Sequence, residues 1–153
     1  MEGVTSMSIK GIFSAREYTV PLDVTLLVIR VVTGIAFMLH GWGKIQAPMS
    51  WMGPDAPVPG VFQFLAAFSE FGGGIAWALG FLFPLSSFGL VCTMAVATYF
   101  HLGVMGDPFV ASGPGQGSYE PALVYLCIAL LFMASGPGRL SLDRVVFGRK
   151  LPY

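Results

Sequence analysis

Six ionisable side chains hold most of the chemistry this chain can offer: Arg30, His40, Lys44, Glu70, His101 and Glu120. Each lies within or at the edge of a long apolar run. At the middle of a membrane helix such a group costs about 2.5–3.5 kcal/mol on insertion scales, so each implies a partner or a water-filled cavity. Imidazoles and carboxylates can move protons, and imidazole and ammonium groups can donate hydrogen bonds to ligand oxygens. The sequence designates none of the six as catalytic.

The elements that must position them follow from composition. Of 153 residues, 55% are apolar and 10% are charged, and the mean hydropathy is +0.75. A soluble domain carries about 25% charged residues. Eight basic and eight acidic groups cannot solvate such a surface, which excludes a soluble globule, a disordered chain and a nucleic-acid binder. The zero net charge implies no electrostatic partner. Cys92 and Cys127, 35 residues apart, form neither a zinc motif nor a disulfide framework, and no metal site is expected. The expected fold class is all-α: an integral membrane four-helix bundle in lipid.

Crossing about 30 Å of hydrocarbon takes about 20 mostly apolar residues. Four stretches qualify, at 22–43, 60–83, 85–104 and 119–135. They divide the chain into an N-terminal segment (1–21), a four-span bundle (22–138) and a C-terminal tail (139–153). No cleavable signal peptide is evident, because no apolar run precedes the first span. Residues 7–18 are expected to form a short interfacial helix, and Ser141 to cap a short tail helix. The flanks set the orientation. Lys10, Arg16, Arg139, Arg144, Arg149 and Lys150 lie in the two tails, against Lys44 alone in the outer loops, a bias of six to one. Both termini are therefore expected in the cytoplasm, with a tight turn at Phe83-Pro84-Leu85 and the Pro/Gly-rich loops 45–59 and 105–118 outside.

On the first span, Arg30, His40 and Lys44 fall within about 80° of one another at about 100° per residue, so they form one polar stripe. On the second, Gln63, Glu70 and Trp77 recur every seven residues. At about 1.5 Å per residue, Arg30 lies about 19 Å and Glu70 about 15 Å below the outer ends of their spans, which suggests an intramembrane ion pair. It reads more readily as a structural clasp than as a catalytic pair. His40, Lys44, His101 and Glu120 gather within about 5 Å of the outer boundary and are expected to converge in one pocket. Each also has a plainer reading. Lys44 can snorkel to headgroups, Glu120 can complement the start of a helix, and a histidine can bond a loop carbonyl. Trp42, Trp51 and Trp77 suit interfaces or packing, the cysteines suit packing, and Gly34, Gly72-Gly73-Gly74 and Gly80 suit close helix approach.

The order of these residues resembles a known family. The first span reads Arg30-x3-Gly34-x5-His40-Gly41-x2-Lys44, and the second carries Glu70-x2-Gly73-Gly74 and Leu79-Gly80. The third holds His101, the fourth opens with Glu120, and Gly136-Pro137-Gly138-Arg139-x-Ser141-Leu142-Asp143 follows. Over residues 22–143 this is similar to the DoxX family of small four-helix membrane proteins. The resemblance implies a multi-pass protein of a bacterial or archaeal inner membrane. Its relatives include the DoxD subunit of thiosulfate:quinone oxidoreductase, which delivers electrons to the quinone pool, and members linked to membrane redox homeostasis. It transfers no catalytic residue.

Two functions from different classes remain open. A quinone-linked redox subunit or accessory would place His40, Lys44, His101 and Glu120 around the ligand, with electrons supplied by a cofactor or by a membrane or periplasmic partner. A structural or assembly subunit of a larger complex, or a homo-oligomer, needs no chemistry of its own. Haem between His40 and His101 is disfavoured by their place at the membrane edge. A disulfide-forming quinone reductase would need reactive cysteine pairs, and a transporter would show repeats and broken helices.

Overall fold

The computed structural model describes residues 9–148 and is all-helical among them. Its helices are α1 (Ile9–Phe13), α2 (Val20–Gln46), α3 (Gly60–Leu79), α4 (Phe83–Tyr99), α5 (Glu120–Ser135) and α6 (Leu142–Phe147). A π-helical turn, Phe100–Val104, extends α4. The expected interfacial helix shortens to α1, and Ser141 Oγ caps α6 by accepting from the Arg144 amide. Residues 7 and 8, and Arg149 and Lys150 of the basic tail, lie outside the described residues.

Two helical stretches are long and apolar enough to cross a membrane: α2, and α4 with its π turn. The other two long helices miss that standard for different reasons. Helix α3 has 20 residues but carries Gln63, Ser69, Glu70 and three successive glycines, which dilute its hydropathy. Helix α5 is strongly apolar but has 16 residues, about 24 Å of rise.

Helices α2 and α3 are antiparallel and nearly touch. A Cβ on Gly34 would stand 2.7 Å from the Gly74 carbonyl oxygen, and one on Gly74 would stand 2.7 Å from that of Gly34. One on Gly41 would stand 2.5 Å from the Phe71 nitrogen. Only glycine permits that backbone approach. The turn into α4 falls at Gly80–Leu82, a few residues earlier than Phe83-Pro84-Leu85 suggested. Gly80 adopts the left-handed conformation that ends a helix, and Pro84 sits in the first turn of α4, where its missing N–H costs nothing.

The core is aromatic. Trp77 is fully buried, edge-on to Phe37 of α2 at 5.4 Å and to Phe132 of α5 at 4.7 Å, and it donates to Ser87 Oγ of α4 at 3.0 Å. Phe83, Leu90, Met94 and Ala129 complete the cluster, so α2 to α5 all share it. The outer faces are apolar too: Val28, Val32, Leu39, Phe68, Phe88 and Val96 are exposed. Asp23, Arg30, Gln63, Glu70 and Ser87 are buried instead. A water-soluble helix packs its apolar stripe inward and its charges outward, so this polarity is inverted.

Candidate functional site

Arg30 and Lys44 lie on one face of α2, yet they serve opposite ends of the protein. Side chains on a helix lean towards its N-terminus. On α2 that is the end near the chain termini; on the antiparallel α3 it is the opposite end. Arg30 therefore leans away from Glu70, while Lys44 and Glu70 lean towards each other. The expected Arg30–Glu70 pair does not form. Lys44 Nζ meets Glu70 Oε1 at 2.5 Å instead. The helix contacts give the same register: Gly41 faces Phe71, and Gly34 faces Gly74 and Ala78, which sets Arg30 beside Gly80. Helix α2 runs on to Gln46, which places Arg30 further from its C-terminal end than a span ending at residue 43 implies.

At the end near the chain termini Arg30, 1% exposed, donates through its two terminal nitrogens to the carbonyl oxygens of Pro137 and Leu140, both at 2.6 Å. Its guanidinium also lies over the Phe83 ring. The buried Asp143 carboxylate accepts from the amides of Leu82 (2.7 Å) and Phe83 (2.9 Å), so it caps the start of α4 from a distant part of the chain. Burial pushes the Asp143 carboxyl up, against the downward pull of those two amides and of Arg30. Leu82 has φ 46°, a left-handed conformation rare for a branched residue, and the Asp143 contact holds it there. Asp23 accepts from the Arg139 amide at 2.8 Å. The Gly136–Asp143 stretch is thus a strap fastened across the ends of α2, α3 and α4.

At the other end a cavity of about 720 Å³ opens between α3 and α4 under the 47–59 loop. Its polar lining includes Lys44, Gln63, Glu70, Thr93 and His101. Lys44 Nζ also lies 4.6 Å from the Trp51 ring centre, a cation–π contact. Gln63 fastens the loop over the cavity: it accepts from the Met52 amide at 3.1 Å and donates to the Val58 carbonyl at 2.8 Å, while its own carbonyl takes the Trp51 indole N–H at 3.0 Å. His101 sits in the π turn, a distortion frequent at functional sites. Its Nδ1 lies 2.7 Å from Asp107 Oδ2. In the neutral ring, a carboxylate on Nδ1 selects the Nδ1–H tautomer and leaves Nε2 as an acceptor. Glu70 is 3% exposed, and its second oxygen, Oε2, is buried with no hydrogen-bond partner among the described residues.

The four expected pocket residues therefore separate. Lys44 and His101 line the cavity; His40 and Glu120 do not. His40 is exposed on α2, with its ring edge-on to Tyr125 at 6.1 Å. Glu120 opens the first turn of α5, where an acid complements the helix dipole. The reason is that α5 supplies no wall: the cavity belongs to α3, α4 and the 47–59 loop, with Lys44 reaching in from α2. Sequence reasoning missed Asp107 and Trp51 as neighbours of this chemistry. His-x5-Asp across a helix end was a usable signal for the first; nothing local marked the second.

Comparison with known proteins identifies the family. The DoxX family model matches residues 25–103, which carry Arg30, Lys44, Glu70 and His101. The chain belongs to the DoxX family. It is 34% identical over 131 residues to the inner membrane protein YqjF of Escherichia coli K12, covering 81% of this chain and 93% of that protein. It is 32% identical over 124 residues to an uncharacterized protein of Haemophilus influenzae Rd, covering 80% and 90%. No solved structure matches significantly. Within this DoxX protein, the strap accounts for the Gly136-Pro137-Gly138-Arg139 and Ser141-Leu142-Asp143 pattern as architecture.

Proposed function

We propose that this DoxX protein is a multi-pass inner-membrane protein in which α2, α3, α4 and α5 each cross the bilayer. Both termini then lie in the cytoplasm and the loops after α2 and α4 lie outside. The inverted polarity supports this reading, since apolar outer faces suit lipid and buried charges suit a protein interior. So does the concentration of Lys and Arg in the tails. Residues 1–21 and 139–153 are then the cytoplasmic segments flanking the 22–138 bundle.

In this reading the outer cavity binds an isoprenoid quinone, and the protein acts as a subunit or accessory of a quinone-linked redox system. The observation that carries it is the cavity itself. Its size falls in the ordinary range for small-molecule sites, and its walls are Phe62, Leu65, Val96, Ala97, Phe100 and similar apolar groups around a few polar ones. Phe62 and Val96, 58% and 63% exposed, stand at its margin between α3 and α4, where a ligand tail could lie in lipid. A bound quinone would supply two-electron redox chemistry. The Lys44 ammonium, with N–H groups beyond the one given to Glu70, would orient a ring oxygen, and the Glu70 and His101 side chains are placed to hold protons. The electron donor would be a membrane or periplasmic protein docking at the outer loops.

The test is chemical. The full chain is purified from its native membrane in mild detergent and solvent-extracted, and quinone is quantified by mass spectrometry. Roughly one isoprenoid quinone per chain is expected, with a marked loss in a folded His101→Ala variant. Phospholipid alone, with a protein partner retained, would overturn the quinone reading in favour of a scaffold.

A further inference from the structure

The cavity's uncommitted polar atoms share one character: they accept hydrogen bonds. Glu70 Oε1 is taken by Lys44, but Oε2 has no partner among the described residues despite near-complete burial. A buried carboxylate oxygen left unpaired is costly, and a ligand N–H or O–H would relieve it. His101 gives Nδ1 to Asp107, which leaves Nε2 of the neutral ring as a second acceptor. The donors are largely committed. One Lys44 N–H goes to Glu70, with the ammonium against Trp51, the Trp51 indole goes to the Gln63 carbonyl, one Gln63 amide N–H to Val58 and the Thr93 hydroxyl to Gly89.

Glu70 and His101 both line the cavity, one on α3 and one at the end of α4. Gly73 packs on Leu90, so the α3–α4 register sets His101 eight residues further out than Glu70, about 12 Å by helical rise. Glu70 leans outward towards the start of α3, and His101 leans inward towards the start of α4, which narrows that gap. An aromatic ring with a hydroxyl at each end matches acceptors placed in this way. The oxidised form presents two carbonyl oxygens and would set acceptor against acceptor.

We infer that the cavity selects the reduced ligand, a quinol-type para-dihydroxy aromatic with an apolar tail, through Glu70 Oε2 and His101 Nε2. The inference rests on the quinone reading and adds its redox preference. Preferential binding of the reduced form stabilises it, so each tenfold of selectivity raises the bound couple by about 30 mV.

The experiment uses the full chain in lipid nanodiscs under argon, with decylubiquinol and decylubiquinone titrated by calorimetry. The quinol is expected to bind at least tenfold more tightly. Glu70→Gln replaces one acceptor with a group that also donates, and should cut the preference below threefold. Asp107→Asn leaves the Lys44–Glu70 pair intact, can turn the imidazole to present N–H at Nε2, and should also cut it. That second variant keeps the test decisive if the first fails to fold. Equal affinity for both forms overturns the redox preference and leaves the quinone reading standing. Binding of neither form overturns both. A tenfold preference kept in the folded variants overturns the assignment to these two atoms.

Discussion

The strap's dependence on Arg30 can be tested by replacing it with Met, which keeps the stem and removes the charged head. The variant loses two charge-assisted hydrogen bonds, to Pro137 and Leu140. Such bonds contribute about 1.5–3 kcal/mol each. Two carbonyls then lose their partner, and Asp143 loses its nearby cation. Against this, Arg30 Nε is already buried without a partner, so removing the guanidinium recovers part of its desolvation cost. The balance is a loss of about 3–5 kcal/mol, the range seen when one member of a buried charged contact is removed. At about 2–4 °C per kcal/mol for a chain of this size, the melting temperature in mild detergent should fall by about 10 °C.

The same variant should release the strap locally, so limited proteolysis should gain cuts between Gly136 and Gly148. Lys at position 30 keeps the charge but cannot bond two carbonyls in a fixed fork, and should recover only part of the loss. A melting temperature within about 2 °C of the parent, with the strap still protected, would refute the reasoning. Rescue of Arg30→Met by Glu70→Gln would point back to an Arg30–Glu70 pair, and none is expected.

A double-mutant cycle on Lys44→Met and Glu70→Gln should show coupling of about 0.5–3 kcal/mol in detergent unfolding, while the Arg30→Met and Glu70→Gln cycle should be additive within about 0.5 kcal/mol. Gly34→Ala should cost about 1–3 kcal/mol in the same assay, because its Cβ meets backbone rather than a movable side chain; an unchanged midpoint would contradict the close approach. In a variant lacking both native cysteines, an impermeant thiol reagent added outside intact cells should label Ser50→Cys and Ser112→Cys and spare Ser8→Cys; the reverse pattern would invert the topology.

The parts of the fold legible in the sequence were those set by local rules. Helix positions followed apolar run length, but α3 ends at Gly80, which the apolar run to residue 83 and the reading of Gly80 as a close-approach glycine both passed over. The turn falls ahead of Phe83-Pro84-Leu85 because a proline in the first turn of a helix is well accommodated, so Pro84 belongs to α4. The α6 cap followed Ser141, three residues before the amide it accepts from. The polar stripe on α2 was also legible, but its pairing was not. Helical periodicity reports the face a residue occupies; partner choice depends on helix ends and on which way each side chain leans. Two residues on one face, Arg30 and Lys44, were therefore grouped although α2 sends them to opposite ends.

The candidate site shows the same limit more sharply. Its helix-borne members, Lys44, Glu70 and His101, were all singled out, because a charge in an apolar run is conspicuous at any position. Asp107 and Trp51 sit in loops, where polar and aromatic residues are ordinary and carry no such signal. His40 and Glu120 were included on depth alone, and depth cannot separate the two sides of a helix cluster. What divides them is that α3 approaches α2 closely through Gly34, Gly41 and Gly74, which leaves the open space on the α3–α4 side and puts His40 against Tyr125 of α5 instead. The glycines that looked like mere packing devices thus determine which titratable groups share the cavity. Forcing α2 and α3 apart with a Cβ at Gly41, one turn from Lys44, should consequently weaken ligand binding as well as stability, whereas a Cβ at the open Gly43 should affect neither. Equal binding by Gly41→Ala and Gly43→Ala would break the link between helix approach and site.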